Sequence, residues 1–172
     1  MQKKCMIAVC GVKNSGKTTL IERLLPKLSA LGIKTAVIKH DGHDFEADVP
    51  GTDSYRHFAA GACGVAVYSS EKVSIVRRTA NATAQKLAEC FPEADMILCE
   101  GQKNSDMPKL EVVRRELSMQ PVCQGREVLG YVTDVPLKAR QAAGWKDALP
   151  VFGMEDTDAV AAFIAGYCRS VM

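Results

Sequence analysis

The stretch GVKNSGKTTL, residues 11–20, follows the apolar run CMIAVC (5–10) and precedes a segment whose leucines recur at helical spacing. Residues Gly11 to Thr18 match the pattern G-x-x-x-x-G-K-[ST], in which a glycine-rich turn between a strand and a helix binds phosphate groups. Glycines let successive backbone N–H groups point toward one anion, and the helix that begins near Lys17 adds its positive dipole end. The stretch therefore predicts a binding loop for a nucleoside triphosphate.

The residues of this motif have predicted roles in binding the nucleotide and Mg²⁺. Lys17 is expected to contact the β- and γ-phosphate oxygens. The Thr18 hydroxyl is expected to be a ligand of Mg²⁺. The other positions of the motif that are predicted to contact the nucleotide are Gly11, Lys13, Asn14, Ser15, Gly16 and Thr19. For Lys13, an exposed loop cation is the alternative interpretation.

A second candidate segment is ADMILCEG, residues 94–101, an apolar strand with a carboxylate near each end. Ligands of open α/β sheets bind at the carboxyl ends of the strands, which favours Glu100 over Asp95 as the functional carboxylate. Glu100 is therefore the predicted catalytic residue and the second predicted Mg²⁺ ligand, beside Thr18. The alternative role of Asp95 is that of a solvated residue at the start of the strand.

The third candidate segment is the polar loop KHDGHDFEADVPGTDS, residues 39–54, which follows another predicted strand. It is expected to lie over the nucleotide and to contact Mg²⁺ or another ligand. One alternative is a transition-metal site at His40 and His43. The other is a solvated loop in which Thr52 or Asp53 caps the following helix.

Apolar strands alternate with helical patterns along the chain. Predicted strands are 5–10, 35–40, 64–70, 73–78, 94–101, 110–116, 128–134 and 150–152, and predicted helices follow the glycine loop and cover 54–60, 80–91 and 157–168. This order predicts an α/β fold, a P-loop NTPase-like three-layer sandwich with a mainly parallel sheet and helices on both faces. The closely spaced strands at 64–78 predict a small antiparallel addition. One nucleotide-binding domain is expected over residues 1–172.

The composition gives no support for a nucleic-acid partner or for a membrane-spanning segment. The 172 residues carry a formal net charge of +2, which gives no argument for nucleic acid, and no apolar run approaches the roughly 18 residues of a membrane span. The seven cysteines form no C-x-x-C pair and several fall in apolar runs. They are interpreted as small buried side chains of a reducing compartment, and the expected location is the cytoplasm.

Taken together, the three segments resemble the molybdopterin-guanine dinucleotide biosynthesis adaptor proteins, the MobB family. The residues that carry the resemblance are GVKNSGKTTL, VIKHDGHDFEADVPGTDSYRHFAAGA at 37–62 and ADMILCEGQK at 94–103. The resemblance covers roughly residues 4 to 116. It implies a GTP-binding P-loop protein that uses Mg²⁺, hydrolyses GTP slowly and forms a homodimer. It also implies a partner, the molybdopterin guanylyltransferase enzyme that joins GMP to molybdopterin, and contacts with molybdopterin itself.

The same resemblance implies that Asp53 and Arg56 face the nucleotide or the pterin. Guanine-specific pockets usually present a carboxylate to the base, and Asp134, at the end of a late strand, is the candidate. Asp134 is also suited to cap the turn before Pro136. Because the P-loop scaffold serves several activities, a small-molecule kinase and a GTPase metallochaperone are the alternative functions.

Overall fold

The computed structural model describes residues 4–42, 44–123, 127–143, 145 and 148–172. The chain packs into two compact units. The core unit is Met1–His40 with Ala84–Met172, and the inserted unit is Asp41–Thr83. A single nucleotide-binding domain over residues 1–172 stays a prediction.

Eight strands and five helices form within the residues that the structure describes. The strands are β1 (Cys5–Cys10), β2 (Thr35–Lys39), β3 (Gly64–Tyr68), β4 (Val73–Arg77), β5 (Met96–Glu100), β6 (Lys109–Val113), β7 (Val128–Thr133) and β8 (Val151–Phe152). The helices are α1 (Lys17–Ala30), α2 (Asp53–Ala59), α3 (Ala84–Ala88), α4 (Leu137–Ala142) and α5 (Thr157–Val171). In this part of the chain, no helix is both long and apolar enough to cross a membrane.

The core unit contains a six-stranded sheet in the order β2-β5-β1-β6-β7-β8, and all its strand pairs are parallel. From β1 the chain passes outward to β2, returns through β5 and then crosses to β6 on the other side. The direction of winding therefore changes beside β1. Ligands of open parallel sheets bind outside the carboxyl ends of the strands at such a change of direction.

Alternating side chains of the central strands pack on opposite faces of this sheet. Ile7 and Leu98 lie in a buried cluster with residues of α1 and α5, whereas Ala8 and Ile97 pack in a second cluster with the alanines of α3. A continuous apolar run is what a strand covered on both faces requires. The predicted α/β sandwich with helices on both faces is confirmed.

Helix α1 follows the predicted leucine spacing: it continues through Pro26 to Ala30, and Leu24 and Leu28 on its inner face are fully buried. Packing of that face outweighs the backbone hydrogen bond that proline removes. Helix α3 is shorter than predicted, and α4 was missed because its short sequence, LKARQA, has no apolar periodicity.

The inserted unit contains α2 and the antiparallel pair β3–β4, which forms its own two-stranded sheet. The predicted antiparallel addition is therefore confirmed. Its strands leave apolar side chains in solvent: Tyr68 is 83% exposed and Ile75 is 65% exposed. Arg78, which follows β4, contacts Phe58 of α2 in two ways. Its guanidinium lies 4.2 Å from the centroid of the Phe58 ring and donates a hydrogen bond of 3.2 Å to the Phe58 carbonyl.

The interpretation of all cysteines as buried thiols is wrong for several of them. Cys10 and Cys123 form a disulfide across 113 residues of sequence, and Cys63 and Cys90 are exposed. Cys5, Cys99 and Cys168 are free and buried, as expected. Cys10 ends β1, and the backbone of Cys123 is held nearby because its N–H donates to the Glu111 carboxylate of β6 at 3.1 Å. The folded chain thus brings together two cysteines that no local pattern relates.

Candidate phosphate-binding site

The loop between β1 and α1 is built around glycines whose conformation other residues rarely adopt. Gly11 has φ of 142°, and a Cβ there would overlap the Val112 carbonyl oxygen and lie 2.7 Å from the Ser15 hydroxyl oxygen. Gly16 has φ of 95° and occupies the position before the first turn of α1. Both positions therefore require glycine, and the loop backbone is packed directly against β6.

The loop presents polar groups that have no partner among the described residues. The first turn of a helix leaves N–H groups without intrahelical acceptors, and α1 has no side-chain cap at Gly16 and no acidic residue in its first turn. Ser15 is fully buried, and its hydroxyl makes no hydrogen bond with any described residue. Buried hydroxyls normally have a partner, so this group and the helix end fit a bound anion.

The Lys17 ammonium folds back over the loop. Its Nζ donates to the Val12 carbonyl at 2.7 Å and to the Gly11 carbonyl at 3.4 Å. These neutral acceptors hold the charge above the turn without pairing it with a carboxylate. The geometry leaves Lys17 able to exchange a backbone carbonyl for a phosphate oxygen, which is the stronger, charge-assisted contact.

The surroundings of Lys17 are electropositive. Burial lowers the pKa of Lys17 below its ordinary value, Glu100 opposes this change, and the charges of Lys39 and Lys103 lower the pKa further. Two lysines from outside the motif are therefore close enough to act on it. No role was predicted for either lysine, although Lys39 lies next to the end of the predicted strand 35–40 and Lys103 follows the predicted strand 94–101 by two residues.

Thr18 and Glu100 meet at the carboxyl edge of the sheet. The Thr18 hydroxyl donates to Glu100 Oε1 at 2.9 Å, and Glu100 is buried at the end of β5. Both side chains offer the oxygen ligands that Mg²⁺ prefers, so the residues fit the predicted metal. Asp95 lies at the opposite end of the same sheet and accepts a hydrogen bond of 2.9 Å from the Lys34 backbone N–H.

The remaining loop residues are placed at the surface. Lys13, Asn14 and Thr19 are exposed, and Asn14 has a positive φ of 64°. An exposed Lys13 agrees with the alternative of a solvated loop cation. Contacts of Lys13, Asn14 and Thr19 with a nucleotide stay predictions.

The structure gives the predicted residues of the 39–54 loop local roles within the inserted unit. Thr52 is the N-cap of α2 and accepts a hydrogen bond from the Tyr55 N–H at 3.3 Å, which confirms one of the capping alternatives. Asp53 lies in the first turn and pairs with Arg56 at 3.4 Å. That pair is exposed on both sides, so it contributes little to stability.

The histidines of this loop receive no support as a metal site. The His40 backbone N–H donates to the Glu100 carbonyl at 3.1 Å, and His43 lies outside the described residues. Among the described side chains, no group of three or more histidines, cysteines or carboxylates is arranged to hold a metal ion.

The Asp134 carboxylate contacts two residues of the segment that follows β6. Its Oδ1 accepts a hydrogen bond of 2.7 Å from the Arg115 N–H, and its Oδ2 lies 3.8 Å from the Arg114 guanidinium. Asp134 thus stabilises a turn, although not the turn before Pro136 that the sequence suggested. Its role in guanine recognition stays a prediction.

The chain is similar to known proteins over most of its length. The family model for Molybdopterin guanine dinucleotide synthesis protein B matches residues 6–134. The chain belongs to the MobB family. The molybdopterin-guanine dinucleotide biosynthesis adapter protein of Haemophilus influenzae is 35% identical over 77% of this chain and 76% of the relative. The Bacillus subtilis relative, named a probable adapter protein of the same biosynthesis, is 31% identical over 90% of this chain and 88% of its own length.

Solved MobB structures share the fold. The crystal structure of Bacillus subtilis MobB is similar with a TM-score of 0.72 and 27% identity, covering 92% of this chain and 97% of that chain. A MobB homologue from Bacillus stearothermophilus aligns with a TM-score of 0.68 and 22% identity over 96% of this chain and 98% of its own. At the latter identity the likeness concerns the fold alone.

Proposed function

We propose that this MobB-family chain is a GTP-binding adapter with slow GTPase activity in the biosynthesis of the molybdopterin guanine dinucleotide form of the molybdenum cofactor. The observation that carries the proposal is the loop from Gly11 to Thr18, with its buried and unpartnered Ser15 hydroxyl beside the Thr18–Glu100 pair. The names of the relatives, which call them adapter proteins of this biosynthesis, support the choice of pathway.

The residues of the loop would have different roles in binding the nucleotide and Mg²⁺. The N–H groups from Gly11 to Thr18 and the Ser15 hydroxyl would hold the phosphate oxygens, and Lys17 would leave the Val12 carbonyl to pair with them. Thr18 and Glu100 would hold Mg²⁺, which neutralises charge on the β- and γ-phosphates when it is bound. Glu100 would also orient the attacking water.

Slow hydrolysis follows from what the loop does not contain. The stretch GVKNSGKTTL has neither a glutamine to position water nor an arginine to stabilise the transition state. Such groups increase the rate of GTP hydrolysis by several orders of magnitude in other P-loop proteins. A nucleotide held without them would persist long enough to serve as a binding signal rather than as a rapidly consumed substrate.

The partners in this proposal are molybdopterin, the molybdopterin guanylyltransferase enzyme and a second copy of the chain, and the proposed location is the cytoplasm. Support comes from the family and from the names of the relatives. Asp53, Arg56 and Asp134 would supply contacts to the pterin or the guanine base.

Separate calorimetric titrations of GTP, ATP and molybdopterin into the purified chain test this function. The proposal expects GTP to bind more tightly than ATP and molybdopterin to bind measurably. Equal affinity for GTP and ATP, without pterin binding, would contradict it. A search for phosphoryl transfer to small acceptors should find none, since transfer would indicate a kinase.

The role of Glu100 is tested with Glu100→Gln. The variant should keep its affinity for GTP while hydrolysis becomes slower and its Mg²⁺ dependence changes, because the amide keeps the shape of the carboxylate but not its charge. Asp95→Asn, at the opposite end of β5, is the matched control and should hydrolyse GTP at the wild-type rate. Unchanged turnover in Glu100→Gln would remove this residue from the site.

A further inference from the structure

Lys39 lies at the carboxyl edge of the sheet, on the strand next to β5. It is the last residue of β2, and its Cα partner in the parallel ladder is Glu100, the last residue of β5. Residues in register on neighbouring strands project from the same face of a sheet. Val37 and Leu98, two positions earlier on these strands, both pack in the cluster that includes α1. The side chain of Lys39 therefore starts on the face where Glu100 meets Thr18.

Lys103 is presented by a tight connection directly after Glu100. Gly101 and Gln102 have φ of 98° and 61°, and Gln102 adopts a conformation that is uncommon for a residue with a Cβ. The turn is closed by Ser105, whose N–H and hydroxyl donate to the Gln102 carbonyl at 3.0 and 2.8 Å. Strained backbone of this kind clusters at functional sites. Because the bend follows Glu100 directly, Lys103 lies at the carboxyl edge of the sheet.

Three lysines are thus placed near the carboxyl end of β5: Lys17 precedes Thr18, which contacts Glu100, Lys39 is the ladder partner of Glu100, and Lys103 follows Glu100 by three residues. None of the four ion pairs found in the described part of the chain involves Lys17, Lys39 or Lys103. An excess of positive charge that nearby carboxylates leave unpaired is suited to an anion with several negative charges.

We propose that Lys39 and Lys103 bind the terminal phosphate of the nucleoside triphosphate and give the site its preference for a triphosphate over a diphosphate. This inference rests on the proposed function. In P-loop proteins the threonine and the carboxylate that hold Mg²⁺ mark the β- and γ-phosphate end of the nucleotide. Lys39 and Lys103 flank Glu100 at that end, whereas the backbone of the loop surrounds the phosphates as a group.

The test is calorimetric titration of GTP and GDP, both with Mg²⁺, into Lys39→Gln and Lys103→Gln. Each variant is expected to weaken GTP binding about tenfold, the size of one charge-assisted contact, and to change GDP binding less than about twofold. Lys34→Gln is the matched control, because Lys34 is also exposed and precedes the opposite end of β2. It should leave both affinities unchanged, and circular dichroism should show all three variants folded.

Several results would overturn the inference. An equal loss of GTP and GDP affinity would mean that the two lysines attract anions without selecting the terminal phosphate. Unchanged GTP affinity in both variants would remove them from the site. Lys17→Ala separates these failures from failure of the proposed function. If wild type binds no nucleotide, or Lys17→Ala binds GTP as well as wild type, the proposed function itself is wrong. If binding depends on Lys17 but not on Lys39 or Lys103, only this inference fails.

Discussion

The loop after β1 and the hairpin of the inserted unit show opposite relations between sequence pattern and packing. At the loop, Gly11 has no room for a Cβ and Ser15 is fully buried, so packing against β6 fixes the backbone. In the hairpin, Tyr68 and Ile75 are mostly exposed, and its two strands pair only with each other. This difference shows that packing within the core unit fixes the geometry of the candidate site. The inserted unit instead has exposed apolar side chains, and the order of its hairpin depends on contacts between its own two strands.

The largest expected difference between the two regions is in the cost of losing an apolar side chain. Leu98→Ala should lower the free energy of unfolding by about 3.5 kcal/mol, because Leu98 of β5 is fully buried in the cluster with residues of α1 and α5. Ile75→Ala should cost less than about 0.5 kcal/mol, because Ile75 is 65% exposed. Urea unfolding measures both. Similar losses would show that the hairpin is covered in solution.

The second comparison uses glycines. Gly11→Ala should destabilise the chain by about 3 kcal/mol, since strain from the positive φ adds to overlap with the Val112 carbonyl. Gly51→Ala in the inserted unit should cost about 1 kcal/mol, because its φ of 93° is strained but no atom lies within 4 Å of an added Cβ. Thermal unfolding of the two variants checks the ranking. A Gly11 variant as stable as the Gly51 variant would show that the loop is not packed as described.

The smallest expected effect is a dependence of stability on pH that originates at Glu111. Burial raises the pKa of Glu111 above its ordinary value, although the N–H groups of Val122 and Cys123 and the charge of Lys109 oppose the change. A raised folded pKa means that the folded chain holds the proton more tightly than the unfolded chain. Stability from this group is therefore complete below the unfolded pKa, about 4.3, and is lost as the pH rises through the folded pKa.

Replacement of Glu111 by glutamine should flatten that slope, which cannot exceed about 1.4 kcal/mol per pH unit for one proton. The measurement is urea unfolding at a series of pH values from 4 upward. Glu71→Gln, in the exposed turn of the hairpin, is the control and should leave the pH dependence as it is in wild type. If the dependence of stability on pH persists in Glu111→Gln, it originates at other groups.

Local patterns predicted much of the core unit. The apolar run of β1, the glycine pattern and the leucine spacing of α1 are contiguous in sequence, so their arrangement follows from short-range rules. The same applies to Glu100, whose position at the carboxyl end of a strand could be read directly. Its contact with Thr18 needs only that β1 and β5 be neighbours.

Features that depend on strand order could not be predicted. Lys39 lies at the proposed site because β2 pairs with β5 in register, and no pattern within either strand predicts that pairing. The Cys10–Cys123 disulfide likewise depends on a segment that returns to the central sheet after 113 residues. Asp134 was expected to cap the turn before Pro136, but its carboxylate accepts a hydrogen bond from the Arg115 N–H on another connection. In each case tertiary contacts decide what the side chain does.

The most direct test of the account is the affinity of Lys17→Ala for GTP and Mg²⁺, compared with Lys13→Ala from the same loop. Lys17 lies over the loop carbonyls beside Glu100, whereas Lys13 is exposed. Loss of a charge-assisted phosphate contact predicts weaker binding by about 2–4 kcal/mol for Lys17→Ala and by less than about 0.5 kcal/mol for Lys13→Ala. Wild-type affinity in Lys17→Ala would contradict the assignment of the loop to a nucleotide.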